Sequence, residues 1–388
     1  MDGNTLKAYV VGYGSIDALG NNPYESFQNS LNNTDYSSII EPLKEYPINT
    51  GYQVEDSRLL YPKGFRPKGM SRAQKFVMHA TNLALLHANI RHSSNVAVII
   101  SSTLSEGEMS SKNIPKFLSN SKVSPRENVN TITDMCTYHV AEHWKFQGMS
   151  TSVAAACATG LVSIDYAMRI LHRYDYVIVG GADAGCYETA IKGFHQIGAI
   201  SNNNSPFDNN RTGFVMGEGA GVLILQNAYN VEKYGSKVHA ILHEPGHASE
   251  GLSITSPAED GRGAIQAMRQ ALRYAEIVPN TVCAHGTSTP IGDVIEYTAI
   301  QKVLPNTPIW APKSKIGHTV GAAGILETIH CIEAGKQNIV PHIHNLNKCD
   351  FDTSNSLCRE NTPCEKVFMN NSFGFGGKNM AQVLEVIS

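Results

Sequence analysis

The segment SVAAACATGLVSIDYAMRIL, residues 152–171, joins a strand-like apolar run to a helical pattern, with Cys157 at the junction. In a second segment, KSKIGHTVGAAGILETI, residues 313–329, His318 likewise precedes a helical pattern full of small residues. In both segments the helical pattern begins with small residues. Cys157 and His318 are 161 positions apart (318 − 157). Such a fixed spacing is the first sign of an internal repeat.

Another pair of segments repeats at the same offset. GFVMGEGAGVLIL begins at Gly213 and GFGGKNMAQVLEV begins at Gly374, which is again 161 positions (374 − 213). Both place Gly-Phe first and a strand-like run after a glycine-rich bend. Two matches at one offset predict two similarly built halves. We place the halves at residues 1–230, with Cys157, and 231–388, with His285 and His318.

Strand-like runs and helical patterns alternate along the chain, which indicates an α/β fold with strands covered on both sides. Arg72–Asn89 and Thr159–His172 have the pattern of helices with small or apolar faces. The polar stretches Leu104–Val129 and Asn202–Asn210 are predicted to be surface excursions. Buried strands are predicted in AYVVGYG (8–14), NVAVIIS (95–101), STSVAAA (150–156), YDYVIVGG (174–181) and GVLILQ (221–226).

The composition favours a globular, cytoplasmic protein. Among 388 residues, 42% are hydrophobic and 17% charged, and the net charge of −3 gives no reason to expect nucleic acid or a membrane surface as partner. The first residues do not have the pattern of a signal peptide, and apolar runs such as Val96–Ile100 are strand-sized. The eight cysteines are scattered without a CxxC pair, which argues against a zinc site and indicates reduced thiols.

Cys157 is the first candidate for chemistry. A cysteine at the start of a helix experiences the positive end of the helix dipole, which favours the thiolate. The neighbouring Ala154, Ala155, Ala156 and Gly160 would let a substrate approach closely. The alternative is a buried and inert cysteine.

His285 lies in the segment CAHGTSTPIGDVIE, where a short apolar strand ends in a turn. Histidines on loops at strand ends often act as acids or bases. Thr287 and Thr289 add hydroxyl groups to the same turn. The alternative is a turn held together by hydrogen bonds of the threonines and Asp293.

Lys313 and Glu327 flank His318, and a pairing between them is possible on this spacing. The alternative for Lys313 is a solvated surface charge. In NNSFGFGGKNMAQVL, residues 370–384, the stretch from Phe373 to Gly377 predicts a loop with exposed backbone N–H groups, which is what an oxyanion requires. The alternative for this loop is a simple turn or bulge.

Five motifs in order and in register resemble those of the β-ketoacyl-acyl-carrier-protein synthases. They are ACATG at 156, PFDNNRTGFVMGEGAGVLIL at 206, AHGTSTPIGD at 284, KSKIGHTVGAAG at 313 and NSFGFGG at 371. The resemblance covers essentially the whole chain. It implies a thiolase-like fold with five layers, αβαβα. It also implies a homodimer, with a heterodimer containing a related ketosynthase as the alternative.

The resemblance also implies a role for each candidate residue. Cys157 would take an acyl chain from an acyl carrier protein as a thioester, and His285 and His318 would help to decarboxylate a malonyl unit and stabilise the enolate. No metal or redox cofactor would be required, because the phosphopantetheine arrives on the carrier protein. Lys313, paired with Glu327, would support His318. The N–H groups of Cys157 and Phe375 would form the oxyanion hole, and Phe375 would also gate the acyl pocket. Thr287 and Thr289 would bind the phosphopantetheine.

Departures from the family pattern lie away from this set. Gly148-Met149 replaces a usual Gly-Pro, and the segment from Met135 to Tyr138 is bulkier than usual. We therefore expect Tyr138 near the end of the acyl pocket, at the dimer interface. The alternative for Tyr138 is that it only packs between helices. Phe194 is the other candidate for selecting the length of the acyl chain. The departures favour specialised polyketide or polyene synthesis over housekeeping fatty-acid synthesis. The remaining alternatives are a thiolase-like enzyme acting on coenzyme A thioesters and a non-catalytic chain-length partner.

Overall fold

The computed structural model describes residues 5–90, 93 and 95–387 of the chain, and these residues form fifteen strands. In chain order the strands are β1 (Lys7–Asp17), β2 (Ser38–Ile39), β3 (Thr50–Tyr52), β4 (Val96–Ser101), β5 (Ser150–Thr151), β6 (Tyr176–Ala184), β7 (Met216–Gln226), β8 (Ala240–His243), β9 (Gly246–Ser249), β10 (Thr281–Cys283), β11 (Ile309–Trp310), β12 (Ile339–Val340), β13 (Thr362–Pro363), β14 (Val367–Gly374) and β15 (Lys378–Val386).

Twelve α-helices lie between these strands in the described part of the chain. They are α1 (Pro23–Ser30), α2 (Arg72–Ala88), α3 (Ser105–Leu118), α4 (Pro125–Val129), α5 (Met135–Trp144), α6 (Thr159–Ile170), α7 (Glu188–Gln196), α8 (Ala228–Tyr234), α9 (Arg262–Ala275), α10 (Gly292–Val303), α11 (Lys313–Ile316) and α12 (Ala323–Gln337). None of the helices in these ranges is long and apolar enough to cross a membrane.

The main sheet repeats one strand order in two halves. Its path is β5-β4-β6-β7-β1-β8-β15-β14-β10-β11. In each half, counted from the centre of the sheet outwards, the first two strand pairs are antiparallel and the next two are parallel. The strands of the first half are, in this order, β1, β7, β6, β4 and β5. Those of the second half are β8, β15, β14, β10 and β11. The antiparallel pair of β1 with β8 joins the two halves. The predicted α/β fold with two repeated halves is confirmed.

The layers follow from which helices cover which strands. The outer face of the first half packs against α2 and α5, and the outer face of the second half packs against α9 and α10. Between the two halves lie α6 and α12, which touch each other and contact strands of both halves. The layers are therefore outer helices, the first half of the sheet, the central helices α6 and α12, the second half of the sheet, and outer helices. This is the expected five-layered arrangement.

Two predictions about local structure need correction. The strand predicted over 150–156 is only Ser150–Thr151, because the next residues bond to side chains: Ala155 N donates to Thr159 Oγ1 at 2.8 Å. The segment Asn202–Asn210 is not a surface excursion. Phe207 is fully buried, and Asp208 accepts N–H bonds from Asn347 and Lys348 at 2.7 and 2.8 Å.

The other predicted excursion, Leu104–Val129, does lie at the surface, but it contains two helices, α3 and α4. Predicted helices at Arg72–Asn89 and Thr159–His172 correspond to α2 and to α6 with a following 3-10 turn at Leu171–Arg173. The helix α2 begins with a capping box at Ser71 and Gln74 and ends at Asn89, which has a left-handed conformation.

Candidate active site

The turns that present Cys157 and His318 share one unusual backbone feature. The preceding residue has positive φ in each case, 49° at Ala156 and 68° at Gly317. Alanine rarely adopts this conformation, so the turn at Ala156 must be held by its surroundings. The N–H groups of Ala158 and Thr159 bond the carbonyls of Ala155 and Ala156 at 3.1 Å, which closes the turn before α6.

The two central helices begin side by side. A Cβ added to Gly160 would lie 2.8 Å from Ile325 N and 3.0 Å from Gly324 Cα, and one added to Gly324 would lie 3.0 Å from Leu161 N. Only residues without a side chain permit this approach. The contact joins the start of α6, after Cys157, to the start of α12, after His318.

A cavity of about 360 Å³ lies in front of these helix starts. Most of the predicted site residues line it, and Cys157 is buried in its wall. The residues with a proposed chemical or binding role around it are Cys157, Phe194, His285, Thr287, Thr289, His318 and Phe375, and Phe214, Phe373 and Val320 complete the apolar wall. The structure thus brings together residues that are far apart in sequence.

The hydrogen bonds of the two histidines fix their tautomers. His318 Nδ1 accepts the backbone N–H of Val320 at 3.3 Å. His285 Nδ1 lies 3.3 Å from Nζ of Lys313, and an ammonium can only donate. Each neutral ring therefore carries its proton on Nε2. The rings are 5.5 Å apart at 89°, so the cavity is lined by two imidazoles that can both donate.

Both histidines are neutral at physiological pH. Burial and the nearby Lys313 hold the pKa of His318 well below its usual range. Burial, Lys313 and His318 do the same for the pKa of His285. Neutral rings suit hydrogen-bond donation to a developing negative charge, because they offer a proton without bringing a second full charge into a buried site.

Lys313 and Glu327 form an ion pair behind the cavity. Both side chains are almost completely buried, and Lys313 Nζ donates to Glu327 Oε1. The alternative of a solvated Lys313 is therefore wrong. Burial raises the pKa of Glu327, and the attraction of Lys313 opposes this rise. The pair places one fixed positive group beside His285.

The thiol of Cys157 does not have the low pKa that its position suggested. Burial raises the pKa of Cys157 to about 11, although Lys313 and the backbone N–H groups of Phe375 and Cys157 act in the opposite direction. The helix start was expected to make the thiolate easier to form, and the backbone N–H groups do lower the pKa, but removal of the thiol from water has the larger and opposite effect. The free enzyme holds a protonated thiol at neutral pH, and deprotonation must accompany attack.

Phe375 lies on the turn between β14 and β15, against the Cys157 turn. A Cβ on Gly374 would lie 2.7 Å from Ala155 O and 3.3 Å from Cys157 N, so this backbone approach requires glycine. Gly376 and Gly377 have φ of 79° and 68° and complete the turn. The N–H groups of Phe375 and Cys157 act on the same sulfur. The ring of Phe375 lies 6.4 Å from that of Phe194.

Thr287 and Thr289 lie on the cavity wall with their Oγ1 atoms 3.1 Å apart. Arg211 stabilises their turn by donating to the carbonyls of Thr289 and Pro290.

Tyr138 lies away from this cavity. It is on α5, its side chain is 50% exposed, and it is not among the residues that line the cavity. Its exposure rules out the alternative of packing between helices within one chain. Its role in the acyl pocket stays a prediction.

Two buried carboxylates that position the site were missed in the sequence. Glu296 accepts the N–H groups of His285 and Gly286 at 2.7 Å each. Asp183 accepts from Ser102 Oγ and Leu104 N at 2.7 Å and from Gly321 N at 2.7 Å. A signal was present for Asp183, because an acidic residue directly after the buried run YVIVGGA needs a partner.

Comparisons with known proteins agree with this geometry. The family described as "Beta-ketoacyl synthase, N-terminal domain" matches residues 10–230, and "Beta-ketoacyl synthase, C-terminal domain" matches residues 239–347. The mitochondrial 3-oxoacyl-[acyl-carrier-protein] synthase of Arabidopsis thaliana is 35% identical over 280 residues, which cover 66% of this chain and 61% of that protein. The 3-oxoacyl-[acyl-carrier-protein] synthase 2 of Staphylococcus aureus strain MRSA252 is 29% identical, with 98% of both chains covered.

Solved structures of ketosynthases share the fold. A β-ketoacyl synthase from Burkholderia phymatum STM815 superposes with a TM-score of 0.88 at 24% identity, covering 99% of this chain and 100% of that one. A type II PKS ketosynthase in complex with its acyl-carrier protein gives 0.89 at 22% identity with the same coverage. The strand order is therefore that of the thiolase-like ketosynthases. On the family matches to both halves, the chain belongs to the β-ketoacyl synthase family of acyltransferases.

Proposed function

We propose that the protein catalyses a decarboxylative Claisen condensation between an acyl group held on Cys157 and malonyl-acyl-carrier protein, giving a 3-oxoacyl-carrier protein. The observation that carries the proposal is one cavity lined by a thiol and two neutral histidines, with two backbone N–H groups beside the sulfur. These are the groups that acyl transfer followed by enolate formation requires.

In the first half-reaction, the Cys157 sulfur attacks the thioester carbonyl of the acyl-carrier protein. The carbonyl electron pair moves to oxygen, and the N–H groups of Cys157 and Phe375 stabilise the oxyanion. The C–S bond to phosphopantetheine then breaks, and that sulfur takes up the proton released by Cys157. The acyl chain remains on Cys157 as a thioester.

In the second half-reaction, malonyl-carrier protein loses carbon dioxide and its bonding electron pair becomes an enolate. Nε2–H of His285 and Nε2–H of His318 donate to the enolate oxygen. The enolate carbon attacks the acyl carbonyl, and the thiolate of Cys157 leaves. Thr287 and Thr289 hold the phosphopantetheine, and these steps require no metal or redox cofactor.

We further propose that the partners are an acyl carrier protein and a second ketosynthase-like subunit. Six large apolar side chains on the surface near α3, α4 and α5 are 50–82% exposed, as expected for a face that a second subunit covers: Ile114, Phe117, Leu118, Val129, Ile132 and Tyr138. The edge strand β5 lies at the same end of the sheet. We favour a homodimer, with a heterodimer as the other form.

We assign the reaction to the cytoplasm and to specialised polyketide or polyene synthesis. Eight cysteines without a disulfide suit a reducing compartment. The bulky segment from Met135 to Tyr138 supports a specialised substrate. The presence of Cys157 and both histidines argues for catalysis and against a passive chain-length subunit.

The decisive experiment incubates the protein with a panel of acyl-carrier proteins and measures intact mass, followed by malonyl-carrier protein and detection of the 3-oxoacyl product. We expect a single acyl adduct and a product two carbons longer. Parallel reactions with the coenzyme A thioesters test the thiolase-like alternative. Efficient turnover of coenzyme A thioesters with no reaction of any carrier protein would contradict the proposal.

A further inference from the structure

A loop that the proposed chemistry does not use packs against α7. It comprises residues 40–49, between β2 and β3, and it contains a 3-10 turn at Glu41–Leu43. Its two ends meet, because the N–H group of Ile40 donates to the carbonyl of Asn49 at 2.7 Å. Such a closed shape is typical of a compact surface loop packed by its own side chains. We call this segment the covering loop, and none of its ten residues lines the active-site cavity.

Apolar side chains anchor the covering loop beside the active site. Ile40 and Leu43 are only 1% and 2% exposed, and they belong to one hydrophobic cluster with Ile191 of α7. The same cluster contains Cys157, and Phe194 packs against it. Removal of these apolar side chains from water fixes the position of the loop relative to α7.

Asn202 fixes the other end of the covering loop. Its side-chain oxygen accepts the N–H groups of Asn49 and Thr50 at 3.0 and 3.1 Å. Its side-chain nitrogen donates to the carbonyl of Pro47 at 2.8 Å. Asn202 belongs to the segment that follows α7, so the covering loop is attached both to this helix and to the chain that leaves it.

Tyr46 of the covering loop binds the last turn of α7. Its Oη lies 2.8 Å from Nδ1 of His195, and the two rings meet edge to face with their centres 5.4 Å apart. A phenol and an imidazole can form this hydrogen bond in either tautomer of the imidazole. Lys192, one turn earlier on α7, places its Nζ 5.5 Å from the centre of the Tyr46 ring. Tyr46 therefore contacts the end of α7 at two points.

The residues on both sides of His195 form part of the cavity wall. Phe194 lines the cavity, and so do residues 197–199, whereas His195 itself is not among the lining residues. The ring of Phe194 lies 5.3 Å from that of Phe214 and 6.4 Å from that of Phe375. The hydrogen bond from Tyr46 therefore acts on this wall from behind.

This part of the wall lies between two glycines. A Cβ added to Gly193 or to Gly198 would meet nothing within 4 Å, and Gly198 has a φ of 67°. Glycine gives the backbone more freedom than any other residue. The residues between them, which include Phe194 and His195, can therefore shift more readily than the rest of α7. The bond from Tyr46 restrains this shift.

We propose that Tyr46 is a positioning residue that limits the length of the acyl chain accepted by the enzyme. The inference rests on the proposed function, because it assumes that Cys157 receives an acyl chain. With the bond to His195 in place, Phe194 is held close to the other aromatic rings and the cavity stays narrow. Without the bond, the wall can move outwards and make room for a longer chain. Tyr46 acts only through its neighbours on α7.

The test uses Tyr46→Phe in the full chain, which removes the hydroxyl group and keeps the ring. The measured quantity is kcat/KM for acylation of Cys157 by the hexanoyl and decanoyl thioesters of N-acetylcysteamine, followed by intact mass. We expect the ratio of decanoyl to hexanoyl kcat/KM to rise about 3- to 10-fold, as for the loss of one hydrogen bond. His195→Phe removes the other partner of the bond and should give the same shift, also if Tyr46→Phe does not fold.

A second background tests whether the effect passes through Phe194. In Phe194→Ala, the further change Tyr46→Phe should alter the ratio by less than about 2-fold, because the side chain that Tyr46 positions is absent. A role of Tyr46 in stability alone would lower both kcat/KM values together and leave their ratio unchanged. Equal shifts of the ratio with and without Phe194 would overturn the proposal.

The matched control is Tyr174→Phe, which removes another half-buried hydroxyl group. Oη of Tyr174 accepts the N–H group of Met149 at 3.2 Å, beyond the end of α6 that is farther from Cys157. We expect this variant to keep the wild-type ratio. The same shift in Tyr174→Phe, or an unchanged ratio in folded Tyr46→Phe and His195→Phe, would overturn the role of Tyr46.

The assay separates this inference from the proposed condensation, because the small thioesters need neither a carrier protein nor a malonyl unit. If the ratio shifts as expected while malonyl-carrier protein gives no 3-oxoacyl product, the condensation fails and the role of Tyr46 stands. If condensation occurs and the ratio does not shift, only the role of Tyr46 fails. If neither thioester acylates Cys157 of the wild-type protein, both fail.

Discussion

Nζ of Lys313 lies 3.3 Å from Nδ1 of His285, and both groups are buried. The same ammonium is paired with Glu327 on its other side. Lys313 therefore has three effects: it fixes the tautomer of His285, it adds to burial in lowering the pKa of both histidines, and it lowers the pKa of the Cys157 thiol against the effect of burial. Lys313 does not line the cavity, yet it influences the protonation of three residues that do.

Replacing Cys157 by alanine should abolish acyl transfer, with a loss of about 10³-fold or more, because no other group at this turn can form the thioester. Mass spectrometry of peptides from the wild-type protein should place the acyl adduct on Cys157. Circular dichroism should show that Cys157→Ala remains folded. An adduct on any of the other seven cysteines would contradict the assignment.

His285→Ala and His318→Ala should impair condensation more than self-acylation, because the enolate forms only in the second half-reaction. Loss of one donor to a developing oxyanion typically costs about 10²- to 10³-fold in rate. Single-turnover kinetics with acyl-enzyme prepared in advance separate the two steps. If either folded variant failed to accept the acyl group at all, the proposed role of that histidine would be wrong.

Glu327→Gln should destabilise the protein by about 3–5 kcal/mol, because it leaves Lys313 buried without a counter-charge. The matched control is Glu188→Gln, which removes an exposed pair with Lys192 at 3.4 Å and should cost less than about 1 kcal/mol. Urea unfolding gives the free energy of unfolding for both variants. Equal values would show that the buried pair adds nothing beyond a surface pair.

Alkylation of Cys157 by iodoacetamide should become faster as the pH rises, without levelling off below about pH 10, because the raised pKa keeps the thiol protonated in this range. Lys313→Met should slow the reaction at every pH below this pKa, since the ammonium lowers the pKa of Cys157 in the wild-type protein. Peptide mass spectrometry follows Cys157 separately from the other thiols. A plateau below pH 8 would mean that the helix start outweighs burial after all.

Phe194→Ala should lengthen the longest acyl chain that the enzyme accepts, because Phe194 lines the cavity between Phe214 and Phe375. Removal of one aromatic ring frees on the order of 150–250 Å² of contact surface. Phe65→Ala, in the outer layer, serves as the matched control. Tyr138→Ala should be assayed in parallel. If this variant accepts longer acyl chains, Tyr138 lies in a pocket that the second subunit completes. If the accepted chain lengths are unchanged, Tyr138 is not part of the acyl pocket.

Most of the fold could be predicted because its periodicity is carried by long, buried strands and by a repeated offset. The strands β1, β4, β6 and β7 and the helices α2 and α6 stood out in this way. The run at 150–156 misled because alanine and valine suit both a strand and a tight turn. Asn202–Asn210 misled because its polar side chains bond inside the protein, and no local pattern shows a partner such as Lys348, which lies far along the chain.

The candidate site was predictable in composition but not in electrostatics. Cys157, His285, His318 and Phe375 each stand next to glycine or alanine at a junction between elements, and such junctions are visible in a sequence. The direction in which the pKa of Cys157 shifts could not be predicted from the sequence, because it depends on how far the folded protein removes the thiol from water. Glu296 could not be recognised either, since it looks like an ordinary helical residue until His285 folds onto it.

The shared form of the Cys157 and His318 turns has an evolutionary consequence. A protein made of one such half, associating with an identical copy, would have presented the same turn twice across a symmetry axis. Duplication and fusion of its gene would free each copy to diverge without altering the other. One turn carries a thiol and the other an imidazole, so a symmetric framework presents two chemically different groups to one cavity, while Gly160 and Gly324 hold the starts of α6 and α12 together.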